Sequence, residues 1–190
     1  MHERAERSAG LIETFLYLRR VCYRMAGRLE EQDFASLKEA YDPDQSSLSQ
    51  FCGAGDTTIA VVRKPNDTGI DAVCDEWLPE LGMPEDALSD YWELRSAYED
   101  NQYVSNHEAA NRAFEEANLT ERFDDYVRGN ADAQEALDEI VRRLSDGENI
   151  TLVCFESDGK KCHRHILMQM IQKRREASLT AGRALSTTLD

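Results

Sequence analysis

The chain has 190 residues, and its 41% hydrophobic content supports one sizeable core with room for a helical extension. It has no apolar run long enough to cross a bilayer as a helix, and no membrane partner is expected; a formal net charge of -15 argues against indiscriminate nucleic-acid binding. Five irregularly spaced cysteines without a CxxC, behind an N-terminus (MHERAERSAG) with no signal-peptide pattern, read as reduced thiols in a cytoplasmic protein.

In chain order, Leu11, Phe15, Leu18, Cys22 and Met25 recur at helical spacing, which predicts a helix over 8–28 with Cys22 as a packing residue. Asp33 can cap a short helix carrying Phe34, Leu37 and Tyr41. "YDPDQSS" ends it. "TTIAVV", 57–62, is short, β-branched and apolar, and reads as a buried strand that runs into Arg63-Lys64-Pro65. After "DEWLPELGMPED", Pro84 fits the first turn of a helix carrying Leu88, Tyr91, Trp92 and Tyr98. Trp77 and these aromatics are expected mostly in the core.

Residues 105–145 read as helical throughout, with capping boxes at Ser105/Glu108 and Asn118/Glu121. "ITLVCF", 150–155, is the second buried strand and ends at Glu156. "SDGKK" turns the chain into a helix that begins at Cys162 and runs to about Arg175. The remainder reads as a disordered tail. The expected organisation is a helical extension over 1–50, an α/β domain over 51–176 and the tail over 177–190. Two apolar strands separated by helices predict an α/β, Rossmann-like layered fold, helix-rich, around a small sheet that is at least partly parallel. Ligands gather beyond the carboxyl ends of such strands, which would bring Arg63 and Glu156 near each other.

The chemistry concentrates in "CFESDGKKCHRHIL", 154–167. Residues 160–175 carry lysines and arginines and no carboxylate, inside an otherwise acidic chain. Cys162 sits at a helix start, where backbone N–H groups favour a thiolate. Cys154 lies inside the strand and is expected buried and inert. On the helix, Ile166, Leu167, Met170 and Ile171 define the core side. His163 lies on that side at the strand ends, Arg164 on the flank, and His165 nearly opposite in solvent. Cys154, Cys162, His163 and His165 match no zinc-ligand spacing, so no metal is expected. Neither a Walker loop nor a GxGxxG occurs, and no cofactor is expected. Of the 22 basic residues only 5 are Lys; an acidic, lysine-poor composition suits a halophilic setting.

"ITLVCFESDGKKCHRHIL" resembles the C-terminal signature of the DUF488 family (domain of unknown function 488): a strand, a Glu, a short turn and Cys-His-Arg opening a helix. "VVRKP", "DEWLPELGMPEDAL" and "AFEEANLTERFDDYV" are similar to other segments of that family, so the resemblance covers about 56–175. It implies a Rossmann-like fold and points to Arg63, Glu156, Cys162, His163 and Arg164. It implies no settled activity. The family's usual N-terminal strand with its Gly-His or Gly-Tyr turn is not visible in the sequence, where a helix is expected instead, and His165 stands where a small residue is common.

Three readings follow. In the first, Arg63, Arg164 and the helix N-terminus bind a small anionic ligand or a nucleic-acid phosphate, and Glu156 orients an arginine or holds a sugar hydroxyl. In the second, Cys162 is a nucleophile with His163 as general acid/base. Neighbouring helix residues splay by about 100°, so this needs an irregular first turn. The third is a protein-interaction domain without catalysis, its partner unspecified. The first ranks highest on sequence alone, and whether the chain is an enzyme stays open.

Overall fold

The computed structural model describes residues 26–40, 56–65, 69–100, 104–157 and 159–187. Among these, four strands form one parallel sheet in the order β1-β4-β2-β3. They are β1 (Leu29–Asp33), β2 (Asp56–Ala60), β3 (Glu76–Trp77) and β4 (Asn149–Cys154). The helices are α1 (Phe34–Ala40), α2 (Ile70–Val73), α3 (Glu85–Glu99), α4 (Asn106–Glu116), α5 (Leu119–Gly129), α6 (Ala131–Ser145) and α7 (His163–Thr187), with a 3-10 turn at Pro79–Leu81. The expected α/β layered architecture is therefore present, and the sheet is parallel throughout.

The sequence explains which strands are central. Ile150 to Cys154 are all buried, as a parallel strand covered on both faces requires. Ile59 to Val62 are buried in the same way. Beside them β1 reads LEEQD, with Glu30 and Glu31 exposed, which suits an edge strand that discourages further pairing. α7 lies across β1 and β4, and α6 packs on β4. Leu137, Ile140 and Leu144 of α6 join Phe123, Leu167 and Ile171 in the core.

Several local expectations hold. Asp33 Oδ1 accepts from the Ser36 backbone N–H at 2.9 Å and starts α1. The Ser105 hydroxyl accepts from Glu108 N–H and starts α4. Others are corrected. Asn118 caps nothing through its side chain: it takes the left-handed conformation (φ 50°) and its amide donates to Glu121. The break at Asn130, whose side chain accepts from Ala133 N–H, divides the stretch read as one helical block. The helix expected to stop near Arg175 runs on to Thr187, since neither glycine nor proline intervenes before Gly182. Residues 29–33 form a strand inside the stretch read as a helical extension; Ile150 to Cys154 supply its partner.

The aromatic expectation also changes. Tyr91 is buried, but Trp77 and Trp92 are 40% and 52% exposed. β3 has only two residues at the sheet edge, so Trp77 is covered on one side and donates its indole N–H to Val62 O. Trp92 lies on the outer side of α3, against the Arg95 guanidinium at 4.9 Å. The helix expected over 8–28 lies outside the described residues up to residue 25, as do Cys22 and Tyr41.

Candidate functional site

β4 and β2 are parallel neighbours, with Ala60 opposite Val153. Both end at the same edge of the sheet, and the chain beyond β4 makes the turn that delivers Cys162. That turn is clamped from α4. Asn111 accepts from Lys161 N–H at 2.7 Å and donates to Gly159 O at 3.1 Å. Gly159 takes φ 84°, a conformation that suits glycine, and a Cβ there would stand 3.3 Å from His107 Nδ1. Cys162 thus sits just before α7, and its carbonyl accepts from His165 N–H.

This placement supplies the irregular first turn that a Cys162–His163 contact needs. Cys162 Sγ lies 3.7 Å from His163 Nδ1. Cys154 Sγ, at the end of β4, lies 3.9 Å from the same nitrogen. On the other side of the ring, Nε2 is 2.6 Å from Val61 O. A carbonyl only accepts, so Nε2 carries a proton, and Nδ1, which faces both sulfurs, is the nitrogen that can exchange a proton with them. Phe123 packs edge-on to the ring at 5.2 Å. All three side chains are buried.

Burial and proximity set the charge state. The hydrogen bond from Cys162 drives the Cys154 thiol well below the ordinary range; burial opposes this, and the His163 charge adds to it. The same thiol–thiol bond, with burial, pushes Cys162 well above that range. Burial works against a charge on His163, but the Cys154 thiolate, its hydrogen bond and the Val61 carbonyl hold the imidazole up. The pair of thiols therefore gives up its first proton readily and its second reluctantly, and the imidazole is the adjoining acceptor.

A small cavity of about 40 Å³ opens beside the cluster. Met83, Phe114 and Leu119 form its apolar wall, and Tyr91, Glu156, Cys162 and His163 also border it. Glu156 lies 3.5 Å from the Tyr91 hydroxyl, 3.7 Å from Arg95 and 3.8 Å from Lys160. Burial, with the Glu156 charge, pushes the Tyr91 phenol up to about 12, so it stays a neutral donor.

The two arginines behave differently from the rest of the predicted set. Arg164 is 1% exposed. It donates through Nε to Glu31 at 3.1 Å and through Nη1 to Gln32 O at 2.5 Å, both on β1. Arg63 donates to Gly82 O at 2.9 Å and Met83 O at 3.3 Å, and stacks over Tyr126 at 5.1 Å. Arg63 and Glu156 thus follow adjacent strands, while their side chains bond to different partners. His165 is partly exposed and 3.5 Å from Glu31. Cys154 is the residue that sequence reasoning set aside: it is buried, as expected, but it belongs to the cluster. The only signal in the sequence was its position at the last residue of a strand whose end faces the Cys162 turn.

A larger open groove of about 550 Å³ lies elsewhere, between the 3-10 turn region and α6, lined largely by acidic side chains. It contains none of the predicted site residues.

A family model described as DUF488-N3a, Active DUF488-N3 subclade, matches residues 53–175. No curated protein and no solved structure matches the chain.

Proposed function

The chain belongs to the DUF488 family, and we propose for it a thiol-dependent chemistry in which Cys162 is the nucleophile and His163 the general acid/base. The observation that carries this reading is the shared approach of two sulfurs to one imidazole nitrogen whose opposite nitrogen is fixed by Val61 O. Cys162 is the sulfur that borders the cavity; it holds its proton while Cys154 carries the first charge of the pair, so Cys162 becomes a nucleophile by passing that proton to the Cys154 thiolate. Cys162 Sγ would add to an electrophilic carbon at the cavity as its S–H proton passes to the Cys154 thiolate, and the imidazole would give a proton to the substrate atom that receives the electron pair of the bond broken at that carbon. Tyr91, a neutral donor, and Glu156, which is paired with Arg95 and Lys160, border the cavity and would orient a polar substrate group. The matched subclade is described as active, which supports a chemical role over a scaffolding one.

An anion cradle built on Arg63 and Arg164 is less well supported. Both guanidiniums already bond to protein carbonyls or to Glu31. An anion would have to displace those partners, and for Arg164 it would have to do so in a buried place.

Alkylation mapped by peptide mass spectrometry tests the thiol reading. Folded protein is treated briefly with iodoacetamide beside Cys162→Ser and His163→Gln variants whose fold is checked by circular dichroism. Cys162 is as buried as Cys74 and holds its proton tightly, but transfer of that proton within the cluster is expected to make it label at least tenfold faster than Cys74. Its labelling is expected to slow by a similar factor in His163→Gln. Equal, slow labelling of Cys162 and Cys74 in wild-type protein would make Cys162 a packing residue and end this reading.

A further inference from the structure

We propose that Cys154, Cys162 and His163 form a binding site for one thiophilic d10 metal ion, of which zinc is the reference case, with a fourth coordination position facing the cavity. The sulfurs and Nδ1 all lie within 4.8 Å of one another. A tetrahedral zinc ion takes Zn–S of about 2.3 Å and Zn–N of about 2.0–2.1 Å, which sets S···N at about 3.6 Å and S···S at about 3.8 Å. The S···N separations here are 3.7 and 3.9 Å. The S···N pairs therefore need to close by only a few tenths of an ångström, and the two sulfurs, within 4.8 Å of each other, by no more than about 1 Å.

The second shell points the same way. A metal-binding imidazole is oriented by a hydrogen bond from its other nitrogen, and His163 Nε2 has that bond to Val61 O at 2.6 Å. The ring can thus offer Nδ1 without changing tautomer. Charge balance agrees as well. Two thiolates and a neutral imidazole neutralise a dication, which makes a net charge of about zero in a place where an uncompensated charge is costly. Two sulfurs and an imidazole also select soft or borderline ions over magnesium or calcium. The donors stand on firm supports: the end of β4, the clamped turn and the first residue of α7. The cavity of about 40 Å³ has room for one water, whose share of liquid volume is about 30 Å³.

The site rests on geometry and goes beyond the thiol reading, and the two can fail separately. A bound ion engages both sulfurs, so the metal-loaded form would be protected from alkylation while the metal-free form reacts.

The first test is a titration of reduced, chelator-treated full-length protein with Co²⁺ without oxygen. One equivalent should give thiolate-to-cobalt charge-transfer absorption with tetrahedral ligand-field bands, and Zn²⁺ should abolish them. Cys154→Ser and Cys162→Ser should lose most of the charge-transfer intensity, and His163→Gln should lower affinity about 10–100-fold. A second measurement needs no variant: Zn²⁺ should protect both Cys154 and Cys162 of wild-type protein from iodoacetamide and leave Cys74 unprotected. Absence of charge-transfer bands in folded wild-type protein overturns the proposal. So does full retention of them in Cys154→Ser, which would put the metal on other cysteines.

Discussion

The two ends of the sheet hold polar groups in opposite ways. At the amino end, charges meet their opposites close to solvent at Arg143, Glu148 and Glu76. Arg143 bonds to Glu148 and to Glu76, and Thr57 donates to Glu148 at 2.5 Å. At the carboxyl end, two thiols and an imidazole face one another in the interior, with no carboxylate among them. The amino end uses charge to fix strand starts, and solvent moderates its worth. The carboxyl end keeps ionisable groups whose protons are shared, next to a cavity. Polar groups thus serve as fastening at one end and as candidate chemistry at the other.

Arg164 gives the largest expected effect, because it brings fastening to the carboxyl end. It is buried, and its two bonds run to β1, the edge strand. Arg164→Ala removes the guanidinium from Glu31 and leaves Gln32 O short of a donor. The expected cost is about 3 kcal/mol, at the low side for a broken buried pair because Glu31 is partly solvated. Chemical denaturation of wild type and variant measures it. A cost below about 1 kcal/mol, together with lost binding of inorganic phosphate, would return Arg164 to a ligand role and restore the anion reading.

Gly82→Ala comes next. A Cβ there would stand 2.3 Å from Arg63 N and 2.7 Å from Arg63 Cα, both backbone atoms that cannot swing aside. The chain must shift where Arg63 leaves β2 and where Gly82 O and Met83 O receive its side chain. The expected loss is about 1–3 kcal/mol, read as a lower denaturation midpoint. Met83 borders the cavity, so the same variant should also change Cys162 alkylation. A stability loss with unchanged alkylation would show that the cavity wall is independent of this crossing.

How far the sequence carries depends on whether the deciding interaction is local. β2 and β4 are legible because both are buried on two faces and therefore read as continuous apolar runs. The caps at Asp33 and Ser105 are legible because donor and acceptor lie three residues apart. β1 is hidden: LEEQD has the composition of a surface segment, and only pairing with β4 makes it a strand. The site divides along the same line. The inward direction of His163 follows from the helical period of its own neighbours. The partners of Arg164 do not, because Glu31 and Gln32 lie 133 and 132 residues away in the chain. Nor does the Cys154–His163 contact follow from spacing, since it needs the intervening turn, held by Asn111 of a distant helix, to fold back on the strand end.

The smallest effect is expected at the amino end, and it has a pH signature. The hydrogen bonds from Arg143, against the opposing effect of burial and helped by Thr57, hold the Glu148 carboxyl down at about 2. In an unfolded chain a glutamate titrates near ~4.3. A carboxylate held lower in the folded state contributes stability that is complete above the unfolded value. That contribution fades as pH falls from about 4.3 toward about 2, because the folded state must then give up its ion pair with Arg143. Glu148→Gln should therefore lower stability modestly at pH 7, flatten the stability–pH curve across this acid interval, and leave the curve above pH 6 parallel to wild type. Denaturation midpoints at pH 2.5, 4, 5.5 and 7 test this. An acid limb as steep in Glu148→Gln as in wild type would move the pH-sensitive fastening elsewhere, with Asp33 the next candidate: hydrogen bonds from Ser36 and Ala35, opposed by burial and helped by the charge of Arg164, hold its carboxyl down at the other end of the sheet.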